Sequence, residues 1–335
     1  MITGRGRIRT ACVLAALVLA PIARGQNPDL ILSQAERDSI LATYDNIFPI
    51  WGRKAIERGF ELPTPAGIGL VGTWISQDIN ITNLSLSTND NPLQPAGFIQ
   101  MEPAEVPVTA VSIRPDLWVL PFLNVYVIAG WVDVSTTVRV VEPVAFETNV
   151  EQSGVFGGIG LTGTMGIRKN FVVVDLNWAW TETEKLDFPV RGRLLSLRYG
   201  RAFKPKKHQR LAVWLGAMQQ QLVSETRGSI SLAEVVPPQQ AAAVGAAMED
   251  YQSSAEYQAL PPGQRAVVDQ FVEGLQGPDP GSVIVNYGLD KEVADPWNML
   301  VGGMWDLDRH WGFRVEAGFI GRVSALLLTN FRFDL

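Results

Sequence analysis

Residues 297–335 are three alternating segments with almost nothing between them: Trp297–Leu307, Trp311–Ile320 and Val323–Leu335, joined by Asp308–His310 and Gly321–Arg322. In the middle segment Phe313, Val315, Ala317 and Phe319 share one face, while Arg314, Glu316 and Gly318 share the other. A period of two is the side-chain repeat of a β-strand. A soluble sheet turns its apolar face to a core. Here the apolar faces are edged with Trp and Phe, and the opposite faces carry charge. Lipid offers backbone groups no hydrogen bonds, so a sheet that spans a bilayer must close on itself. Strands of about ten residues, apolar outside and polar inside with aromatic ends, are the pattern of such a transmembrane β-barrel.

The start of the chain reads differently. Arg5, Arg7 and Arg9 precede a short apolar run, Ala11–Ile22, and Ala23-Arg24-Gly25 offers small residues at cleavage positions. The run is too short for a spanning helix, so residues 1–25 read as a secretory signal peptide. Cys12, the single cysteine, falls inside it, leaving the exported chain without thiol, disulfide or Cys-bound metal; no cofactor or metal is expected. Removing four Arg from 28 basic residues leaves 24 against 34 acidic ones, a net charge of −10. A nucleic-acid partner would call for the opposite balance. The chain is 47% hydrophobic, yet beyond the signal no apolar run is long enough for a membrane helix.

About ten strands can be traced from Gly67 to the end. The first is Gly67–Ile81, followed by a polar loop to Glu105; the second is Val106–Val119, and Pro121–Asn124 turns into the third, Val125–Val140. Val155–Ile167, the segment from Phe171 to Trp180, Arg191–Arg201 and Leu211–Val223 follow, and the three C-terminal segments complete the set. Connections at 121–124, 168–170, 204–209 and 307–310 are short and fall on one side. Those at 82–105, 141–154 and 225–295 are long and fall on the other. Short periplasmic turns with long outer loops are the asymmetry of an up-and-down outer-membrane barrel. An extra hairpin within 82–105 or 281–290 would raise the count to about twelve.

Residues 26–65 read as a periplasmic amphipathic helix and linker. Ser33 and Glu36 make a capping-box pattern, and Ile40, Tyr44, Ile47 and Trp51 share a helical face that Pro49 should kink or end. The helix would plug the lumen, lie on the inner leaflet or touch another protein. Residues 237–276, inside the largest outer loop, read as two helices joined at Pro261-Pro262-Gly263. Ala241, Val244, Met248 and Tyr251 stripe the first; Val268, Phe271, Val272 and Leu275 stripe the second. Such stripes need a partner surface, whether each other and the barrel rim, a lumen they cover, or an unknown protein.

Two stretches, Gly67–Gly72 and Gly158–Gly163, match the dinucleotide pattern G-x-G-x-x-G. They sit inside alternating strands with no helix behind them, so they read as strand glycines that make room for bulkier lumen residues. Charged and polar residues assigned to the lumen are Arg114, Asp116, Asp175, Asn177, Arg198, Asp306, Arg314, Glu316 and Arg332. Both signs are present, which fits either an ion-pair network filling a small barrel or a narrow polar pore. Girdle aromatics are Trp178 and Trp180 at the outer end of the fifth strand, Trp297 and Trp305 on the eighth and Trp311 on the ninth. At about 3.3 Å per residue and a tilt near 40°, Trp297 and Trp305 are separated by roughly 20 Å of height, close to the spacing of two aromatic belts.

The segment Leu326–Leu335, ending Asn330-Phe331-Arg332-Phe333-Asp334-Leu335, resembles the C-terminal strand of Gram-negative outer-membrane β-barrel proteins, with Leu335 where those usually carry Phe. The resemblance implies recognition by the barrel assembly machinery and residence in lipopolysaccharide-bearing outer membrane. Barrel enzymes acting on lipid or peptide generally use a His near their centre. His208 and His310 both fall in inner turns, away from the outer face, so no catalytic residues are assigned. The functional expectation is a non-enzymatic, porin-like barrel passing small solutes through a narrow pore. The alternative is a closed barrel whose outer loops and helical insert bind a partner.

Overall fold

The computed structural model describes residues 32–335 apart from 90, 168, 207, 208 and 224; the signal-like segment 1–25, Cys12 and His208 lie outside the described residues. Fourteen strands lie among the described residues, and ten of them form a closed antiparallel barrel. The barrel strands are β1 (Ala66–Thr88), β4 (Ala104–Leu120), β5 (Leu123–Glu142), β6 (Phe146–Ile167), β7 (Asn170–Thr183), β8 (Val190–Lys206), β9 (Gln209–Val223), β12 (Trp297–Asp306), β13 (Trp311–Phe319) and β14 (Val323–Phe333). The other four are β2 (Gln94–Pro95), β3 (Gln100–Met101), β10 (Glu225–Ser231) and β11 (Ile284–Val293). Closure is made by β14 on β1, from Ala66 opposite Phe333 to Ser76 opposite Val323. On its other edge β1 pairs β4, from Ala66 opposite Leu117 to Ile79 opposite Ala104.

Across the spanning part the lipid-facing positions are apolar and exposed, among them Leu70, Trp74, Val127, Trp131, Leu215 and Val315. The chain is therefore an outer-membrane-type β-barrel of ten strands. The additional strands do not make it twelve, because they join above the bilayer.

That upper tier is the main departure from the sequence reading. The stretches 82–105 and 141–154 are not long loops. Strand β1 continues to Thr88, and β5 and β6 run on as a hairpin as far as Val140 opposite Phe146. Where β14 ends, β11 takes its place beside β1, from Ile79 opposite Val293 to Thr88 opposite Val285, and β10 pairs β11. Leu186 bridges to Gly228, and the Asp187 N–H donates to the Arg227 carbonyl, so the ring closes again without β12, β13 and β14. The interior of this tier is apolar. Ile79, Ala104 and Val106 pack with Ile81, Val108, Val134, Val138 and Leu222, and Ile230, Leu232 and Val285 pack with Leu86, Val150 and Tyr287.

A helical cap sits on top. Helix α3 (Leu232–Val235) leads into α4 (Pro238–Gln252), α5 (Ala255–Ala259) and α6 (Pro262–Gln276). Both long helices open on Pro, which fits the first turn because its missing N–H has no partner there anyway. Val244, Met248, Val268 and Val272 are buried against Phe98, Val144 and Phe146 of the rim, with Ala241, Tyr251, Phe271 and Leu275 around them. Both apolar stripes are thus consumed by each other and by the barrel.

The N-terminal segment differs from a continuous helix as well. Ser33 and Glu36 form the capping box of α1 (Gln34–Thr43), but the helix stops there, and Tyr44 is extended. Pro49 has no N–H and disfavours helix in the residue before it, so the periodic face of Ile40, Tyr44, Ile47 and Trp51 is never built. A short α2 (Gly52–Glu57) follows. The segment then meets the barrel at its short-turn end. The Asn46 side chain donates to Asp334, the Ile50 N–H donates to Val119, Glu61 pairs with Lys204 at 2.6 Å, and the Thr64 hydroxyl donates to the Arg309 carbonyl.

Candidate functional site: the lumen

Alternation in β4, β5, β7, β8, β9 and β13 directs one residue in two inward, and in a ten-stranded barrel those side chains nearly fill the space. At the short-turn end Asp116 accepts from Asn124 Nδ2 at 2.6 Å and from Arg332 at 2.9 Å. Arg332 also donates to the Thr64 carbonyl at 2.9 Å, tying the linker to the lumen floor. Asp306 lies at the same end, opposite Arg210 in register and apart from the central cluster.

The central cluster crosses the lumen. Arg198 on β8 makes a two-pronged pair with Glu316 on β13, at 2.6 Å from Nε and 2.9 Å from the second nitrogen. Glu316 also accepts from Trp214 Nε1 at 2.7 Å and from Arg314 at 3.0 Å. On the opposite side Arg198 faces Asp175 at 3.8 Å and donates to Ser196 Oγ at 2.6 Å. Asp175 accepts from the Tyr126 hydroxyl at 2.7 Å and from Thr162 at 3.1 Å, and Asn177 lies on the other side of that hydroxyl. The guanidinium of Arg114 covers the Tyr126 ring at 3.6 Å, and that of Arg314 lies 5.2 Å from the Trp214 ring. Asp175, Arg198 and Glu316 are all buried. A buried charge persists only if paired and hydrogen-bonded, and each carboxylate here meets at least one cation and one neutral donor.

Two glycines make this packing feasible. A Cβ at Gly160 would strike the Tyr126 ring, and one at Gly302 would strike the Trp214 indole. At Gly72, by contrast, a Cβ would meet nothing. Both G-x-G-x-x-G stretches lie wholly within strands, β1 and β6.

No protein-family model matches the chain, and no curated protein is similar to it in sequence. Among solved structures it is similar to the β domain of the Bordetella autotransporter BrkA at 10% identity and a TM-score of 0.37, covering 80% of this chain and 100% of that one. The translocator domain of the autotransporter NalP from Neisseria meningitidis aligns at 8% identity and a TM-score of 0.34, over 84% and 93%. An outer membrane channel from Pseudomonas putida aligns at 10% identity and a TM-score of 0.29, over 82% and 97%. Scores this low carry no argument about this chain's role, which must come from its own geometry.

The residues assigned to the lumen divide into three groups. Arg114, Asp175, Asn177, Arg198, Arg314 and Glu316 meet in the central cluster; Asp116 and Arg332 meet below it; Asp306 joins neither. Trp180, Trp297, Trp305 and Trp311 are exposed on the outer wall, and Trp178 is half-buried. His310 is engaged locally, with Nδ1 at 2.8 Å from the Arg332 carbonyl and its ring stacked on Phe331. Sequence reasoning missed Tyr126, Ser196, Trp214, Asn298 and Arg322. Ser196 shares the inward parity of Arg198 on β8 and Asn298 that of Asp306 on β12, and that parity was the available signal; β5 and β9, which carry Tyr126 and Trp214, held no assigned residue. Arg322 was read as a turn residue.

Proposed function

We propose that this protein is a closed outer-membrane barrel that works through its extracellular tier and helical cap, with the lumen serving as a rigid strut. The observation that carries the reading is the Asp175–Arg198–Glu316–Arg314 cluster, which joins opposite walls through hydrogen bonds of 2.6–3.0 Å around Glu316. Apolar packing in the upper tier and the linker across the periplasmic mouth support it from both sides. The segment 237–276 carries five carboxylates against one arginine, and its apolar stripes are turned inward. A partner would therefore meet a polar, acidic face, by charge complementarity rather than by an apolar groove.

On this reading residues 1–25 direct export, β14 is the strand read by the assembly machinery, and the Trp residues of the outer wall rest in the lipid interface beneath lipopolysaccharide. The inward charges hold the barrel together and perform no chemistry on a substrate. Single-channel recording in planar bilayers tests the proposal. The refolded barrel is expected to give no conductance steps, with or without residues 237–276. Reproducible steps from the intact protein would restore the narrow-pore reading.

A further inference from the structure

Two arginines of β8 face outward where the wall leaves the lipid. Arg191 lies opposite Trp180 and Arg193 opposite Trp178 on β7, and directly opposed residues share a face of the sheet. Trp180 is exposed on the outer face, so both guanidiniums leave the wall on its lipid side. Their height follows from the ladders. Trp131 stands in line with Val155 and Val155 with Glu182, a row that reaches β8 just before Val190. Trp297 stands in line with Gln219, and Gln219 with Leu195 of β8. Strands in a barrel tilt, so rows of paired residues slope across the wall, and the level of the upper aromatic belt on β8 falls between these two crossings. Arg191 and Arg193 occupy that interval.

Three cations of the upper tier are held by carboxylates: Arg139 by Glu105 and Glu147 at 2.9 and 2.8 Å, Lys185 by Glu234 at 3.1 Å and Arg227 by Glu225 at 2.6 Å. Arg191 and Arg193 are exposed, and among the described residues they make no ion pair and no side-chain hydrogen bond. Glu182, the next outward position above Trp180, pairs with neither, and Gln221 opposite Arg193 is a neutral amide. Two positions along a strand set the pair about 7 Å apart. Below them the same face carries Leu195, Leu197 and Tyr199, an apolar wall on which acyl chains can lie. Free guanidinium forks beside two indoles and above that wall match an anionic lipid. Its phosphate oxygens take N–H groups in pairs, and its chains take the wall.

We infer that Arg191 and Arg193 clamp a phosphate of lipid A, with Trp178 and Trp180 at the edge of the headgroup. The assignment rests on the proposal that the upper tier faces outside the cell, where lipid A supplies the phosphates of the leaflet. It is independent of whether the barrel conducts.

The test is binding of bisphosphoryl lipid A to the refolded, full-length barrel in neutral detergent, read by native mass spectrometry as the dissociation constant of the first lipid retained. Arg191→Gln and Arg193→Gln should each weaken binding about fivefold, and the double variant about twenty-five-fold. Arg201→Gln, which removes an exposed arginine of the same face at the short-turn end, should leave it unchanged. Phosphatidylglycerol should bind more weakly, and inorganic phosphate should not displace the lipid. An unchanged constant in the double variant overturns the inference, as does equal weakening by Arg201→Gln or equal affinity for phosphatidylglycerol. Should the double variant not fold, the wild-type barrel with dephosphorylated lipid A decides, and binding as tight as that of the bisphosphoryl form overturns the clamp. Orientation is read separately, by labelling Ser253→Cys in intact cells with an impermeant maleimide. Labelling there with no lipid A selectivity in detergent sinks the clamp alone. Absence of labelling places the pair in the other leaflet and sinks the lipid A assignment together with the outward reading of the cap.

Discussion

Strand β5 passes through two tiers of the molecule and reverses its chemistry between them. In the bilayer its outward positions are Val125, Val127, Ala129 and Trp131, and its inward ones include Asn124 and Tyr126. Above the bilayer the outward positions are Asp133, Ser135, Thr137 and Arg139, and the inward ones are Val132, Val134 and Val138. The backbone ladder to β6 runs unbroken from Leu123 to Val140. Only the phase of the hydrophobic alternation changes. Strand β1 does the same, with Leu70 and Trp74 outward below and Ile79 and Ile81 inward above. The difference teaches that alternation reports what lies on each side of the wall. Lipid outside selects apolar residues there, and the lumen then takes the polar ones. Water outside restores the arrangement of a soluble protein.

The largest effect should come from unpairing the lower tier. Arg198→Met would leave Glu316 and Asp175 buried with fewer partners, and losing one member of a buried pair costs about 3–5 kcal/mol. Urea titration of the refolded barrel reads the loss. A change below about 1 kcal/mol would mean that the cluster is wetter than its burial indicates.

A second experiment places one charge on the same face of β5 in both tiers. Val127→Lys, facing lipid, should destabilise by about 2–4 kcal/mol. Ser135→Lys, outward but above the bilayer, should cost less than about 1 kcal/mol. Equal costs would move the membrane boundary away from Trp131 and undo the comparison.

In the cap, Val272→Ala removes about two methyl-sized groups from a buried cluster, roughly 1.5 kcal/mol at about 0.8 each. The effect should be local. Proteolysis within 237–276 should accelerate while the heat-modifiable gel shift of the barrel stays as it was. If both respond together, cap and barrel form one cooperative unit.

The smallest effect concerns the short turn between β12 and β13. Hydrogen bonds from the Trp311 and His310 backbone N–H groups hold the Asp308 carboxyl below the usual aspartate range. A depressed folded-state value stabilises the turn above the ordinary aspartate pKa, and the contribution fades as pH falls through the folded value. The protection factor of the Trp311 amide, its exchange rate relative to the unstructured chain at the same pH, should therefore fall on acidification. In Asp308→Asn the protection factor should stay constant over the same pH range.

Much of this was legible in single residues. Regular alternation with Trp at segment ends gives spanning strands. The apolar stripes of 237–276 announced buried helix faces, but a stripe does not name its partner, and here the partner was Phe98, Val144 and Phe146 of the chain's own rim. The upper tier was hidden because its strands lack turn residues and their apolar phase has shifted, so 82–105 and 141–154 resembled loops. Pro49 was correctly suspicious, but the extended stretch it leaves could not be aimed from sequence.

By itself the sequence determined the strands, their faces and the presence of both charge signs on the inward side, because those depend on a two-residue period that any reader can count. Only the tertiary structure decided which charges meet. Arg198 and Glu316 are 118 positions apart and join through the lumen from β8 to β13. Among the described residues, Arg322 pairs with the neutral amides of Gln220 and Asn298 through the same closure. Such contacts arise from strand number, tilt and register acting together, and none of these is a local property of the chain.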